Sequence, residues 1–577
     1  MRYYIGLATT FHDPAIAIVA PDGEVLFAEA AERFLQYKRA PNCEPDLAPR
    51  MGALLRRWVP DGAEVVVATS WGEDFSAFLD GSARTGAFDL ATLAALSPEL
   101  NRSFVPERSE RALVASLHLQ QRRAGLGTLL GLDRAGGGRR FAELRRYGHH
   151  LSHAAYACGT SPFEEAACLV VDGMGETGAA ALFAHEGGRL RELKRHRGRG
   201  SVGFFFGLVT DLAGFDQAAG EEWKIMGLAP YGRRDPDLMA LLRRLYRVEG
   251  ERLTFADADT IRAVAAEILG RRPPEATTEG WADLARCGQD AFEEMMAAYL
   301  AEARALSGSQ NLVLAGGCAL NSSFNGKIAG RYGFGHLHVP SAPADDGNAI
   351  GAAWLALAQD DPAWRAPPGP ATPYLGSTVS TEPLERMTAW EPRLRRLGHE
   401  GVTEAAADIL ADGKLVGWVQ GRAEFGPRAL GNRSILADPR PADAKELLNA
   451  KVKYREAFRP FAPSILAEHG PAWFEDYQDS PYMERTLVWR EDVRARVPAV
   501  VHEDGTGRLQ SVTAERNPRY AALIRAFAER SGVPILLNTS FNVMGKPILH
   551  TAEDAILMFY TTGLDAIVVE DWLLTKT

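Results

Sequence analysis

The sequence is poor in cysteine and has no long apolar run. Its five cysteines are scattered over 577 residues and form no CxxC pair, which argues against a disulfide framework or a zinc finger and favours a reducing compartment. Asp13 and Asp22 interrupt the short apolar runs at the N-terminus, unlike a secretory signal. No run approaches the roughly 18–20 apolar residues that span a bilayer. The sequence therefore predicts a cytoplasmic protein without a membrane partner.

Positive charge is in deficit over the whole chain, but one motif-bearing segment reverses the balance. The chain has 64 basic and 74 acidic residues, a net charge of -10, which argues against a nucleic-acid partner. Residues 422–459 reverse this balance with nine basic and five acidic side chains. Such a run is usually a solvated face of the protein, yet it also suits a pocket for a highly charged anion.

The common nucleotide-binding and protease motifs are missing. The sequence contains no GxxxxGK[ST], and no GxGxxG stands between a strand and a helix, so neither a P-loop nor a dinucleotide fold is expected. His149 is followed by histidine where the HExxH motif needs glutamate. Glycine loops do follow predicted strands, at Gly173 and at Gly316-Gly317, and their backbone N–H groups can hold phosphate oxygens.

Two stretches of the chain share one order of strands and loops. Near the N-terminus the β-rich runs are Tyr3–Ala8, Ala15–Ala20 and Val25–Ala28, with a polar loop after the first run and an Asp-Gly turn after the second. The same order returns with Cys168–Val171, a glycine-rich loop, Ala179–Phe183 and a Gly-Gly turn. This repetition predicts an internal duplication, although hairpins are common enough for coincidence.

Helix-prone stretches accompany these strands and predict a mixed α/β fold. They are rich in Ala, Leu and Arg and comprise Arg50–Trp58, Glu110–Leu130 and Ala282–Leu306. Residues 363–376 are dense in proline and show little apolar periodicity, so we expect a linker there. The predicted organisation is an N-terminal domain at 1–362, a linker at 363–376 and a C-terminal domain at 377–577.

A pair of histidines is the first candidate for chemistry. His149 and His153 are four residues apart, so on a helix both imidazoles project from one face. Such a pair is more often structural than metal-binding, but two acidic loops, Asp172-Gly-Met-Gly-Glu176 and Asp345-Asp346-Gly347, raise the second possibility. Two histidines and one or two carboxylates suit Fe(II), Mn(II) or Zn(II), with positions left open for substrate or water.

Longer motifs carry a family resemblance. In the first part they are Phe11-His12-Asp13, Glu32-Arg33-Phe34 with Lys38, His149-His150-Leu-Ser-His153, Ala219-Gly220-Glu221, Trp223-Lys224-Ile-Met-Gly227-Leu228 and Gly316-Gly317-Cys-Ala-Leu-Asn321. In the second part they are GRAEFGPRALGNRS from Gly421, KVKYREAFRPFAP from Lys451 and LNTSFN from Leu537. The first part resembles the actin, sugar-kinase and heat-shock-chaperone (ASKHA) superfamily. The whole chain resembles the NodU/CmcH O-carbamoyltransferases, which modify nodulation factors, cephems and other antibiotics.

The resemblance implies an ATP-dependent O-carbamoyltransferase of two domains. A YrdC-like C-terminal domain, an α/β twisted sheet with a positive cavity, is expected to convert carbamoyl phosphate and ATP to carbamoyl adenylate with Mg²⁺ on the triphosphate. A duplicated, actin-like N-terminal domain is expected to pass the carbamoyl group to a hydroxyl of a small natural product. The metal there is expected to be Fe²⁺, with Mn²⁺ and Zn²⁺ as alternatives. The acceptor alcohol is not identified, and a homodimer is left open.

The resemblance also implies roles for individual residues. It makes His149, His153, Asp172 and Asp345 the metal ligands, with Asp345 preferred to Asp346 because it stands two residues before glycine. The expected catalytic residues are His12, Lys38, Arg428 and Arg459. The expected cofactor-binding residues are Gly173, Glu221, Lys224, Gly316, Gly317, Asn321, Arg422, Arg433, Lys451, Arg455, Asn538, Ser540 and Asn542.

Two other functions fit parts of the pattern. A tRNA threonylcarbamoyl-type transferase would share the histidine pair, but the net negative charge and the lack of a basic stripe outside the arginine segment disfavour it. A non-catalytic, actin-like nucleotide-binding module would explain the glycine loops and the duplication. It would not explain the histidine pair or the arginine-rich second part.

Overall fold

The computed structural model describes residues 1–77, 107–197, 200–249, 252–271, 278–366 and 372–576. Residues 367–371 of the predicted linker lie outside these ranges. Contacts divide the chain into two compact units. Unit 1 comprises Met1–Glu32, Arg39–Asn321 and Ile328–Ala371; unit 2 comprises Arg33–Lys38, Ser322–Lys327 and Thr372–Thr577.

Unit 1 contains two five-stranded sheets of the same topology. The first consists of β1 (Arg2–Ala8), β2 (Ala15–Val19), β3 (Val25–Ala30), β4 (Glu64–Ser70) and β5 (Arg140–Tyr147). The second consists of β6 (Glu165–Val171), β7 (Ala180–Glu186), β8 (Arg189–His196), β11 (Asn311–Ala315) and β12 (His336–His338), and a hairpin of β9 (Tyr246–Glu249) and β10 (Arg252–Phe255) stands apart.

The strand orders β3-β2-β1-β4-β5 and β8-β7-β6-β11-β12 are equivalent. In each sheet the first three strands are antiparallel and the last two pairings are parallel. The internal duplication and the α/β class that the sequence predicts are therefore confirmed. The parallel strands β1 and β4, like β6 and β11, direct their carboxyl ends to one edge, which is where side chains of a site converge.

Helices surround these sheets. Before residue 372 they are α1 (Ala31–Leu35), α2 (Ala48–Trp58), α3 (Glu107–Arg123), α4 (Leu126–Ala135), α5 (His149–Gly159), α6 (Val202–Leu212), α7 (Glu222–Leu228), α8 (Pro236–Leu242), α9 (Ala258–Gly270), α10 (Ala282–Ser307), α11 (Ser322–Asn325) and α12 (Asn348–Asp360). The helix-prone stretch Glu110–Leu130 is helical but belongs to two helices, because Gly125 adopts φ +87° and separates α3 from α4.

Close backbone contacts place α12 against the first sheet and α5. A Cβ added to Gly6 of β1 would lie 1.7 Å from the carbonyl oxygen of Ala349, and one added to Gly351 would lie 1.9 Å from that of Ser152. Neither position has room for a side chain. Because α12 begins at Asn348, this packing fixes the N-terminus of α12 beside the start of α5, which carries His149 and His153.

A buried carboxyl joins the start of α4 to the loop before α2. Asp46 Oδ2 accepts hydrogen bonds from the Thr128 N–H at 2.7 Å and the Thr128 hydroxyl at 2.9 Å. Burial raises the pKa of Asp46 to about 6, although the bonds from Thr128 oppose the shift. The protonated form is therefore favoured in the folded state, and the stability that this provides is lost as the pH rises through about 6.

We expect Asp46→Asn to flatten the pH dependence of unit 1 stability. The ordinary pKa of 3.8 and the folded value of about 6 correspond to roughly 3 kcal/mol lost by the wild type between pH 4 and 7. Calorimetric melting across that range measures the slope. The exposed Asp133→Asn on α4 is the matched control, and an Asp46→Asn slope equal to that of the wild type would contradict the assignment.

Unit 2 is built on one nine-stranded mixed sheet in the order β13-β21-β20-β14-β15-β19-β16-β18-β17. The strands are β13 (Leu394–Arg396), β14 (Val416–Val419), β15 (Arg433–Ala437), β16 (Ala462–Leu466), β17 (Arg485–Val488), β18 (Thr506–Val512), β19 (Ile535–Ser540), β20 (Ala566–Val569) and β21 (Trp572–Thr575). The helices are α13 (Glu382–Met387), α14 (Gly398–Ala411), α15 (Ala444–Leu448), α16 (Gly470–Trp473), α17 (Pro518–Ser531) and α18 (Ala552–Thr561), and a π-helical turn covers Asn449–Lys453.

Apolar side chains cover the sheet of unit 2 on both faces. One face packs on α14 and α17 around Trp418 and Tyr520, both fully buried. The other face packs around Ile435, Leu537 and Phe559. Burial on both faces explains why the neighbouring strands β14 and β20 are continuous apolar runs in the sequence.

Unit 2 also includes two short segments from the first part of the chain. Arg33 Nη2 donates to the Gly426 carbonyl at 2.8 Å, and Asn325 Nδ2 donates to the Glu484 carbonyl at 2.9 Å. Both donors are buried. Within the described ranges, no helix combines the length and apolar character that crossing a bilayer requires.

Candidate active sites

Three buried side chains and one partly buried side chain converge at one edge of the sheets in unit 1. His149 and His153 lie one turn apart on α5, Asp172 directly follows β6, and Asp345 lies just before α12. One ligand atom from each lies within 4.8 Å of the other three. His149 Nε2 is 3.3 Å from His153 Nε2 and 3.0 Å from Asp172 Oδ2, and each imidazole Nε2 is 3.4 Å from Asp345 Oδ1. We call this set the His/Asp cluster.

The glycine loops hold Asp172 in place. The N–H groups of Gly173 and Gly317 donate to Asp172 Oδ1 at 2.8 and 3.1 Å. Asp172 Oδ2 is thereby left to face the two histidines. Gly316 adopts φ +86°, and a Cβ there would lie 2.2 Å from the Val171 carbonyl oxygen. The three predicted glycines, Gly173, Gly316 and Gly317, therefore shape the loops that orient the Asp172 carboxylate.

His149 is held on every side. Its backbone N–H donates to Glu176 Oε1 at 2.7 Å, and its ring stacks on Trp71 with centroids 4.3 Å apart and an interplanar angle of 20°. Trp71 is itself fixed, since its Nε1–H donates to the Thr9 carbonyl at 3.0 Å. Asn348 Nδ2 lies 3.4 Å from His149 Nδ1. The ring therefore has little freedom to leave the cluster.

The electrostatics of the His/Asp cluster favour a positive charge at its centre. Burial alone would lower the pKa of His149, but Asp345 and Asp172 raise it to about 10. Burial alone would raise the pKa of Asp172, but hydrogen bonds with His149 and His153 lower it well below its ordinary value. Each carboxylate thus stabilises cationic character on the histidines beside it.

The cluster fits a divalent transition metal. An ion about 2.0–2.1 Å from each ligand atom separates adjacent ligands by about 3.0 Å at right angles and about 3.4 Å at tetrahedral angles. The four Nε2–carboxylate distances and the Nε2–Nε2 distance span 3.0–3.4 Å. Two imidazoles and two carboxylates are a donor set that Fe(II), Mn(II) and Zn(II) accept.

The other predicted residues of unit 1 contact other side chains. His12 Nδ1 lies 2.9 Å from Asp13 Oδ2, which also accepts from Arg39 Nε at 3.2 Å. Lys224 is buried, pairs with Glu221 and lies 4.9 Å from the Phe215 ring. Asn321 exchanges amide hydrogen bonds of 2.9 and 3.2 Å with Gln289 of α10.

Unit 2 contains a second cluster, which is basic. Arg428 and Arg508 are half-buried, and within the part of the chain that is described neither guanidinium has a hydrogen-bond or carboxylate partner. Burial lowers the pKa of Arg428 to about 10, and burial, Arg428 and Arg455 together lower that of Arg508. Burial and Arg459 lower the pKa of Arg455 to about 9. Arg428, Arg455, Arg459 and Arg508 form what we call the guanidinium cluster.

Crowding of guanidinium groups is costly unless an anion occupies the space between them. Arg428 and Arg455 keep pKa values of about 10 and 9, so both carry positive charge at neutral pH. Burying like charges is unfavourable in a protein that binds nothing there, and among the described residues Arg428 and Arg508 have no carboxylate partner to offset it. Guanidinium forks bind phosphate oxygens in bidentate fashion. The guanidinium cluster therefore has the chemistry of a polyphosphate or acyl-phosphate site.

Lys453 joins this cluster to the LNTSFN motif. Its ammonium donates to the carbonyl and side-chain oxygens of Ser540 and Asn542, at distances from 2.6 to 3.3 Å. It is buried, and burial together with Arg455 and Arg459 lowers its pKa well below the ordinary value. The predicted residues Ser540 and Asn542 are thus next to the guanidinium cluster through Lys453.

A buried carboxylate shapes the loop that carries Arg428. Glu424 Oε1 accepts from the N–H groups of Leu430, Asn432 and Arg433 at 2.7, 2.7 and 3.1 Å. Three donors on one oxygen close residues 424–433 into a rigid turn. Arg428 is therefore presented from a fixed backbone, which pre-organises it for ligand binding.

Four predicted cofactor-binding residues of unit 2 have other hydrogen-bond partners within the protein. Arg433 is fully buried and donates to four backbone carbonyls, and Arg422 donates to those of Leu375 and Gly376. Asn538 is buried and donates to Ala429, Ser464 and Gln510. The Lys451 carbonyl accepts from the Gly563 N–H. Lys38, predicted as catalytic, is an exposed residue of unit 2.

Several residues of both sites were missed by sequence reasoning. Arg508 lies outside the basic segment 422–459, so the charge pattern of that segment does not point to it. Trp71 has no motif around it, and only folding places it on His149. Lys453 does stand inside a quoted motif, and Asn348 directly follows the second acidic loop. Their buried hydrogen bonds, not their residue type, distinguish them.

Comparison with known proteins decides the family. The family described as carbamoyltransferase N-terminus matches residues 120–354, and that described as carbamoyltransferase C-terminus matches residues 407–576. Nodulation protein NolO of Bradyrhizobium diazoefficiens is 39% identical over 439 residues, which cover 74% of this chain and 78% of NolO. This chain belongs to the carbamoyltransferase family. The predicted family is thereby confirmed, and the non-catalytic alternative is excluded.

One further relative covers most of the carbamoyltransferase chain, and a solved structure covers a smaller part. Nodulation protein U of the same organism is 30% identical over 581 residues, covering 94% of this chain and 93% of that protein. Component A of the (R)-2-hydroxyglutaryl-CoA dehydratase of Acidaminococcus fermentans is 10% identical, covers 62% of this chain and 99% of its own, and has a TM-score of 0.30. A TM-score this low carries no argument about fold or function.

Proposed function

We propose that this carbamoyltransferase is an ATP-dependent O-carbamoyltransferase with two half-reactions, one in each unit. The observation that carries the proposal is the presence of two chemically different sites. The His/Asp cluster in unit 1 suits a divalent cation. The guanidinium cluster in unit 2 suits a polyanion. A single-step transfer from carbamoyl phosphate would need only one of them.

Unit 2 would form carbamoyl adenylate. Water cleaves carbamoyl phosphate to carbamate and phosphate, a carbamate oxygen attacks the α-phosphorus of ATP, and pyrophosphate leaves. Arg428, Arg455, Arg459 and Arg508 would hold the phosphates and stabilise the charge that develops on the leaving group. Ser540 and Asn542, held by Lys453, would contact the nucleotide or phosphate. We assign Arg433 the role of holding the backbone around this site. The resemblance of unit 2 to the YrdC fold supports this half-reaction.

Unit 1 would transfer the carbamoyl group to an alcohol. His149, His153, Asp172 and Asp345 would hold the metal, which when bound would grip the phosphate and polarise the mixed anhydride. The acceptor oxygen attacks the carbamoyl carbon, its proton passes to a base, and AMP leaves. His12 would serve as that base, because Asp13 holds Nδ1 and Nε2 would then accept the proton. We propose Fe²⁺ as the metal and Mg²⁺ with ATP.

We propose a small hydroxylated natural product as the acceptor. The net charge of -10 disfavours a tRNA substrate, since nucleic-acid affinity depends on phosphate contacts by basic residues. The carbamoyltransferase family itself implies a carbamoyl donor and a hydroxyl acceptor. Turnover against a panel of alcohols would select among macrolides, ansamycins, aminoglycosides, cephems and sugars.

The test is a pyrophosphate assay without acceptor. Incubation with Mg²⁺, ATP and carbamoyl phosphate should release pyrophosphate and phosphate in equal amounts and give carbamoyl adenylate by mass spectrometry. Omitting carbamoyl phosphate should abolish the pyrophosphate. Release of ADP instead of pyrophosphate, or transfer to an alcohol without ATP, would contradict the proposed first half-reaction.

A further inference from the structure

Asn348 is buried at the N-terminus of α12 and contacts the side of His149 that faces away from the other ligands. Its Nδ2 lies 3.4 Å from His149 Nδ1, and its Oδ1 is buried without a hydrogen-bond partner among the described residues. Its side chain is fully buried. Burying an amide oxygen without a partner is unfavourable, so its position next to a candidate ligand needs a reason.

The two nitrogens of His149 have opposite tasks. Nε2 faces Asp172, Asp345 and His153, so it is the nitrogen that would bind the ion. A neutral imidazole carries one hydrogen, and when Nε2 gives its lone pair to a metal that hydrogen must be on Nδ1. Nδ1–H then needs an acceptor. The nearest polar group that the structure provides is the amide of Asn348.

We infer that Asn348 is a positioning residue that sets the tautomer of His149 by turning its amide over. The structure has Nδ2 beside Nδ1 and leaves Oδ1 without a partner among the described residues. A rotation of 180° brings Oδ1 to Nδ1, where it accepts the Nδ1 hydrogen and so leaves the Nε2 lone pair to the metal. An asparagine amide can make this change because its two ends are similar in shape.

Because Trp71 stacks on the His149 ring, rotation of the Asn348 amide is the change that remains possible. The His149 ring is held by Trp71 at 4.3 Å, and its backbone is held by Glu176. The ring therefore cannot turn to exchange its own nitrogens. The amide on the other side is the group that can change. This inference rests on the metal site of the proposed function, and the experiment separates the two.

Binding of Co²⁺ to the full-length protein, followed by its visible absorption and by competition with a chelator, tests the inference. Asn348→Leu has a similar shape but no polar atoms, and Asn348→Asp can only accept. We expect Asn348→Leu to weaken Co²⁺ binding about 10- to 100-fold and to alter the absorption spectrum. We expect Asn348→Asp to bind as tightly as the wild type or more tightly, because it accepts from Nδ1–H.

Each alternative gives a different pattern. If Asn348 only fills space, the two variants will weaken binding equally; if it acts only as a donor to Nδ1, Asn348→Asp will be the worse of the two. Either result overturns the inference. If the wild type itself binds no Co²⁺, the metal site of the proposed function fails instead. Melting temperatures of the ion-free variants show that a change in affinity does not come from unfolding.

Discussion

Arg428→Ala should abolish adenylate formation and leave metal binding intact. Arg428 is a half-buried cation on a turn closed by Glu424, and its only charged neighbours that we identify are other guanidiniums. Removing it takes away both a phosphate ligand and charge stabilisation in the transition state. We expect pyrophosphate release to fall by at least about 10²-fold, the usual cost of removing one such donor.

The controls for Arg428→Ala follow from the same structure. Arg525→Ala removes the same charge from α17, where the side chain is exposed, and should keep pyrophosphate release near the wild-type rate. Arg428→Lys keeps the charge but loses the guanidinium fork that binds two oxygens. Its rate of pyrophosphate release should therefore lie between those of Arg428→Ala and Arg525→Ala. Co²⁺ binding should be unchanged in all three. An Arg428→Ala protein that still releases pyrophosphate at the wild-type rate would remove Arg428 from the donor site.

His149→Ala should have the opposite effect. The His/Asp cluster loses one of its four ligands, so metal affinity should fall more than about 100-fold, since removing a mere outer-shell partner costs 10–100-fold. Pyrophosphate release should continue, because the guanidinium cluster belongs to unit 2. Carbamoyl adenylate should accumulate, and AMP release in the presence of acceptor alcohols should stop.

The exposed histidine of β12, His336, provides the control for this second prediction. His336 is exposed in unit 1, so His336→Ala removes an imidazole without touching the cluster and should leave metal content and AMP release unchanged. Asp172→Asn should reproduce His149→Ala, since Asp172 Oδ2 faces both histidines. Loss of the same half-reaction in Arg428→Ala and His149→Ala would end the two-site division of labour.

Local patterns in the sequence predict much of this fold. The alternation of short strands with an Asp-Gly or Gly-Gly turn predicts the two hairpins, and their repetition predicts the two equivalent sheets. The four-residue spacing of His149 and His153 predicts that both face one side of α5. These features depend on residues close together in the chain. Periodicity and turn chemistry are therefore enough to find them.

Features that depend on distant contacts are not predictable in this way. The stacking of Trp71 on His149 joins residues 78 positions apart, and Arg508 reaches Arg428 from a strand far along the chain. The charge of Arg433 and Arg422 points to an anion site, but the fold directs both to backbone carbonyls. Residue type alone does not distinguish a guanidinium that binds a ligand from one that holds a loop.

The chain segments that make up unit 2 determine how the enzyme can be divided into fragments. Residues 33–38 and 322–327 belong to it, and Arg33 and Asn325 donate to the carbonyls of Gly426 and Glu484. A fragment beginning at Thr372 would lack both donors, so the two carbonyls would lose these hydrogen bonds. One of them, that of Gly426, belongs to the turn that carries Arg428. Cutting at the proline-rich stretch is therefore not a clean separation of two half-enzymes. A C-terminal piece intended to work alone would need those two peptides restored by grafting or by addition in trans.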